Sequence, residues 1–114
     1  GCHCGAVRFE CDASARLIGW DCNCSVCFMK RNVHFIVPEA KFRLQAGSEA
    51  FLSEYTFNTK TAKHTFCRVC GVVPFYRPRS NPDGYAVTVH CLDPGTVEEV
   101  EVKYFDGGNW EQFV

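Results

Sequence analysis

The sequence predicts a small, mostly β domain built from antiparallel strands, and three observations carry that expectation. Short runs of alternating apolar and polar residues recur along the chain, Gly, Pro, Asp and Asn separate them, and only residues 25–32 suit a helical turn. The 114 residues fit one domain, 1–114, long enough to bury a single hydrophobic core.

Residues 6–11 alternate, with Val7, Phe9 and Cys11 on one face and Arg8 and Glu10 on the other. That period of two is the mark of a half-buried strand. Residues 17–22 form a second candidate strand. A third, 35–37, is stopped by Pro38, and a fourth, 42–46, by Gly47. Strands at 51–58, 64–66, 73–77, 85–91 and 100–105 complete the order. Turns are expected at 78–84, 93–95 and 106–109, each rich in Pro, Gly, Asp or Asn.

Composition narrows the function classes. Hydrophobic residues make up 46% and charged residues 22%, values of an ordinary globular protein. A net charge of −1 gives no basic surface of the kind that holds phosphates, so no nucleic-acid partner is expected through this domain. No apolar run reaches the length of a membrane span, and no charged-then-apolar leader opens the chain. An intracellular protein, cytoplasmic or nuclear, is expected, with no membrane partner. The sequence starts inside a motif, Gly1-Cys2-His3-Cys4, and an N-terminal extension is expected upstream of it.

Nine cysteines require a decision between disulfides and metal. The count is odd, and cysteines one or two residues apart cannot readily meet disulfide geometry with each other. Grouped cysteines without a secretory signal point to metal, and the tetrahedral thiolate preference of Zn²⁺ makes zinc the expected ion.

Cys67-Arg68-Val69-Cys70-Gly71 reads as a zinc knuckle, two thiolates from one tight turn with a glycine to take the backbone twist. Cys2-His3-Cys4 lies at strand spacing, so its thiols point the same way. Two donors do not complete a tetrahedron, and Cys67 and Cys70 are the natural complement, giving a closed structural Cys₄ site. Cys22-Asn23-Cys24-Ser25-Val26-Cys27 offers three thiolates from six residues. Either a fourth position is open, as in catalytic zinc sites, or a distant ligand closes it; His34, His64, His90, Cys91 and Cys11 are the available donors. Alternation sets Cys11 and Cys91 on core faces, as buried thiols. Two zinc ions per chain are expected.

These motifs together resemble a known family. Gly-Cys-His-Cys-Gly at 1–5, Cys-Asn-Cys-Ser-x-Cys at 22–27 and Phe-Cys-x-x-Cys-Gly at 66–71 resemble the glutathione-dependent formaldehyde-activating enzymes. The segments at 34–38, 55–59, 78–82 and 90–93 are similar to the centromere protein V branch of that family. The resemblance implies the Mss4-like, or β-tent, arrangement of antiparallel sheets with zinc knuckles. It implies a structural zinc on Cys2, Cys4, Cys67 and Cys70, and a second, open zinc on Cys22, Cys24 and Cys27. The implied reaction joins glutathione, or another small thiol, to formaldehyde or another small aldehyde. The product is S-(hydroxymethyl)glutathione or a related adduct, and the reverse direction is a carbon–sulfur lyase.

An open zinc can hold a thiol as thiolate, lowering its pKa from about 8.5 toward neutrality. His90 and His64 are the candidate general acids for the new alkoxide. Arg79, in the turn at 78–84, is the candidate partner for a glutathione carboxylate, ahead of Lys30, Arg31 and Arg77. The competing functions are a non-enzymatic, zinc-stapled interaction module of a centromere protein V-like chromosomal protein, and a thiol sensor.

Overall fold

The computed structural model describes residues 1–107. In chain order its elements are β1 (Phe9–Cys11), β2 (Arg16–Cys22), α1 (Ser25–Lys30), β3 (Val33–Pro38), β4 (Phe42–Leu44), β5 (Leu52–Tyr55), β6 (His64–Cys67), β7 (Phe75–Tyr76), β8 (Gly84–Thr88) and β9 (Glu99–Phe105). The main sheet has the order β7-β8-β3-β2-β9, and two ribbons, β1-β4 and β5-β6, accompany it. The expectation of a mostly β domain with a single α-helix holds among the described residues. No helix there is long and apolar enough to cross a membrane.

Pairing departs from the expected pattern at one edge. β9 runs parallel to β2, from Arg16↔Glu99 to Cys22↔Phe105, so the main sheet is mixed. A parallel neighbour requires a long return connection, and everything between β2 and β9 supplies it. Such a pairing leaves no local signature in either strand.

Several predicted strands are shorter than their alternation. The run at 85–91 leaves the sheet after Thr88 and continues as a 3₁₀ turn, Val89–Cys91. The run at 51–58 begins inside a 3₁₀ turn, Ser48–Phe51, and stops at Tyr55; beyond it Asn58 and Lys60 take positive φ values of 52° and 61°. At 73–77 only Phe75–Tyr76 pairs as strand, since Pro74 has no N–H to give to a ladder. Helix α1 matches the expected turn. Cys24 is its N-cap without a side-chain cap bond, and Arg31 closes it at φ 54°. Of the turn expected at 106–109, Gly108 and Asn109 lie outside the described residues.

The main core contains Val7, Leu17, Phe35, Val37, Phe42, Phe75 and Val87, with Cys2 and Cys67 buried among them. Each such apolar side chain contributes about 1.5–3 kcal/mol on burial. Phe42 is the hub: its ring lies 5.2 Å from Phe9, 4.7 Å from Phe75 and 4.1 Å from Tyr85. A second cluster, Cys22, Cys27, Tyr76 and Ala86, lies under α1.

Candidate metal centres and the adjoining cleft

The first cysteine cluster is assembled from two similar knuckles. At the end of β6, the N–H of Cys67 donates to Val72 O (3.0 Å) and that of Gly71 to Cys67 O (2.7 Å). At the start of the chain, Cys2 N donates to Val7 O (3.0 Å) and Gly5 N to Cys2 O (3.4 Å). Gly5 and Gly71 both have positive φ, 84° and 80°, where a side chain would be strained. Residues 2–4 therefore form a turn and not the extended segment that their spacing suggested. Their thiols still converge, because the turn does what pleating would have done.

The Sγ atoms of Cys2, Cys4, Cys67 and Cys70 all lie within 4.8 Å of one another. Cys4 Sγ is 3.7 Å from both Cys2 Sγ and Cys67 Sγ. Backbone N–H groups aim at these sulfurs: Val7 N at Cys2 Sγ (3.3 Å) and Val69 N at Cys67 Sγ (3.4 Å). The N–H groups of Val72 and Cys4 push Cys70 down to about 6. Donors converging on sulfur favour the thiolate, the form that a metal takes.

The second cluster is held by β2 and α1. Cys22 ends β2, Cys24 caps the helix and Cys27 lies within its first turns, and their Sγ atoms also fall within 4.8 Å of one another. Cys24 N donates to Cys22 Sγ at 3.4 Å, and the backbone N–H of Gly107 reaches the same sulfur. Hydrogen bonds from Cys24 and Cys27 pull Cys22 down to about 3, while giving those bonds pushes Cys27 far up. The three thiols thus favour ionisation at Cys22 and oppose it at Cys24 and Cys27; a cation among them would favour the thiolate at all three. Both donor sets, one of four sulfurs and one of three, fit a thiophilic ion such as zinc.

Among the described residues no fourth His, Cys, Asp or Glu joins the trio. The trio instead borders a small, solvent-facing cleft of about 90 Å³, lined also by His34, Phe57, His64, Tyr76, Arg79 and Phe105. His64 and Arg79 are therefore brought to the trio. His90 is not: it lines a different hollow with Arg8, Cys91 and Asp93. Arg77 is engaged with Glu39 (3.1 Å) and with the Tyr85 hydroxyl (2.8 Å). Lys30 and Arg31 border that second hollow as well.

Two residues that the sequence did not single out as catalytic complete the cleft floor. The Tyr76 hydroxyl is 3.6 Å from Cys27 Sγ and 3.4 Å from His34 Nε2. Behind it Thr88 Oγ1 donates to Val73 O (2.6 Å) and accepts from Asn32 Nδ2 (2.7 Å). Asn32 Oδ1 is then an acceptor, so the His34 nitrogen 3.1 Å away, Nδ1, carries the proton and Nε2 has a free lone pair. Burial pushes His34 and His64 down to about 4, so both rings are neutral near pH 7. Burial also raises Tyr76 well above the usual phenol range. The rings of Phe57, His64 and Tyr76 stack in sequence at 5.4 and 4.8 Å and wall the cleft. The Asn32-x-His34 spacing across the start of β3 was a readable signal; the fall of Tyr76 beside Cys27 was not, because it depends on which strands meet.

Residues 1–106 match the sequence profile of a family described as glutathione-dependent formaldehyde-activating enzyme. A crystal structure of a Rhodobacter sphaeroides protein is similar at 35% identity, with a TM-score of 0.72, over 90% of this chain and 96% of that one.

Proposed function

The chain belongs to the glutathione-dependent formaldehyde-activating enzyme family, and on that premise we propose that it joins a small thiol, glutathione first, to formaldehyde or a related small aldehyde. The S–C bond forms as the carbonyl π bond opens, and the thiol proton ends on the new hydroxymethyl oxygen. The reverse reaction is a carbon–sulfur lysis. The supporting observation is the three-sulfur cluster beside an open cleft with no fourth donor among the described residues. In this reading Cys22, Cys24 and Cys27 hold one zinc at the reaction centre and Cys2, Cys4, Cys67 and Cys70 hold a second as a staple, in one domain spanning 1–114. Bound zinc would lower the pKa of an incoming thiol and offer a Lewis-acidic contact.

The chain's own groups have separate tasks. Phe57 and Tyr76 exclude water from one side of the cleft. His64, neutral and part of the same wall, exchanges a proton with the hydroxymethyl oxygen. Tyr76 holds its proton between His34 Nε2 and Cys27 Sγ and keeps the latter in place. Arg79 meets a carboxylate of glutathione. His90 has no part in this site. A thiol-rich site of this kind suits a reducing intracellular compartment.

Thiols add to formaldehyde unaided, so the test must exceed that background. Exchange spectroscopy by NMR on glutathione and formaldehyde should show faster interconversion with zinc-loaded protein than with buffer, and the Cys24→Ser variant should fall back to the buffer rate. Equal rates for protein and buffer would remove the enzymatic reading.

A further inference from the structure

β9 is the outer strand of the main sheet, and among the described residues nothing pairs with its far edge. Val102 is 56% exposed and Tyr104 67% exposed, both large apolar groups on the face of β9 that carries Val100. Glu101 and Lys103 are exposed on the opposite face, with no ion-pair partner among the described residues. Free edges of this length invite strand addition, and charges along them normally discourage it.

Here the charges are arranged so that one partner satisfies them. We propose that β9 pairs antiparallel with β9 of a second copy of this chain, about a two-fold axis at Val102. In that register Glu101 lies opposite the second copy's Lys103, and Lys103 opposite its Glu101. Val100 meets Tyr104 twice, and Val102 meets itself. Opposite-charge and aromatic–aliphatic pairs directly across an antiparallel ladder are the stabilising kind.

Neighbouring registers that keep the same faces together are unfavourable. An axis at Glu101 or at Lys103 sets like charges against themselves, and one at Val100 sets Glu99 against Glu101. An axis at Tyr104 leaves Lys103 opposite Phe105 and Glu101 opposite Gly107, so neither charge is matched. The axis at Val102 leaves only Glu99, which already faces Arg16 of its own chain, opposite Phe105. Self-complementarity thus selects one register of one isologous contact, which closes as a dimer and does not propagate. A seven-residue edge is a small interface, so the dimer forms reversibly and depends on concentration.

Analytical ultracentrifugation of the full, zinc-loaded chain tests this. The mass should rise with concentration from 12.9 kDa toward twice that value. Glu101→Lys or Lys103→Glu alone places four like charges across the axis and should weaken self-association on the order of tenfold or more. The double variant carrying both changes restores opposite pairs and should recover the dimer. Equimolar mixing of the two single variants should give a heterodimer, since each then faces its complement. Both side chains are exposed, so the fold is left intact. A chain that stays monomeric at its highest soluble concentration, or a dimer indifferent to these exchanges, overturns the proposal.

Discussion

Gly107 sits against Cys22 so closely that a Cβ built on its backbone would overlap the Cys22 Sγ and lie 3.2 Å from Cys24 Cβ. The same residue sends its backbone N–H to that sulfur. The chain just after β9 is therefore a fourth side of the three-cysteine cluster, contributed without any side chain.

Gly107→Ala should displace Cys22 from its two partners while leaving the four-cysteine knuckles untouched. The expected result is weaker binding of one metal equivalent only, read as earlier release of that equivalent in a chelator titration. Unchanged release of both equivalents would show that the contact is relieved elsewhere.

The two clusters should separate cleanly on mutation. Closed four-thiolate sites contribute their binding energy to the folded state, about 10 kcal/mol or more. Cys67, fully buried in the main core, is such a ligand in this proposal. Cys67→Ser should give insoluble or unfolded protein. Cys24→Ser should lose one zinc equivalent and retain most of the β structure, because the core and the first staple remain. Circular dichroism with metal analysis decides between this and joint loss, which would mean the two centres are one folding unit.

How much of this could be read from the chain depends on distance along it. The knuckle at 67–71 was legible because its donors, its glycine and its flanking Phe66 and Val72 are contiguous. The grouping of Cys2 and Cys4 with Cys67 and Cys70 followed from counting ligands, although the local shape at 2–4 is a turn. The parallel β2–β9 pair and the placement of Tyr76 and Gly107 were not legible. Each arises where segments far apart in sequence meet, and alternation reports only which face a residue takes, not which strand it faces. His90 illustrates the same limit: its position after Val89 suggested a sheet face, whereas a 3₁₀ turn carries it to another hollow.

Stability should fall in mild acid for a reason located at His34. Burial holds its folded pKa near 4, against about 6.5 in the unfolded chain. Above pH 6.5 both states are neutral and the full stability is present. As pH falls from 6.5 toward 4 the unfolded state takes up the proton first, so stability declines, by at most ~3 kcal/mol for this group. Below about 4 the folded ring titrates as well and the contribution is constant. Protonation of His64, also held near 4, and of the clustered thiolates acts in the same direction, so the comparison must be with His34→Gln, which keeps a polar group but cannot titrate. Urea unfolding between pH 7 and 5 should show a shallower decline for His34→Gln than for the parent chain. Parallel slopes would exclude His34 as the source.

Glutathione binding gives the most direct reading of the open side of the trio. If the fourth position there is available to ligands, a free thiol should enter it, because zinc favours sulfur and binds it ionised. Affinity should therefore drop as pH falls and the thiol becomes harder to deprotonate. S-methylglutathione keeps both carboxylates and the peptide but cannot become a thiolate, so it should bind far more weakly. Arg79→Gln should weaken glutathione severalfold without abolishing the difference between the two ligands, since it removes a carboxylate contact and not the sulfur contact. The affinity itself should be modest, because a flexible tripeptide must be ordered in the cleft. Calorimetric titration of the zinc-loaded protein with each ligand measures all of this. Equal affinity for both ligands, or none for either, would exclude capture of the sulfur by the trio and would leave the zinc-stapled interaction module as the better account of the chain.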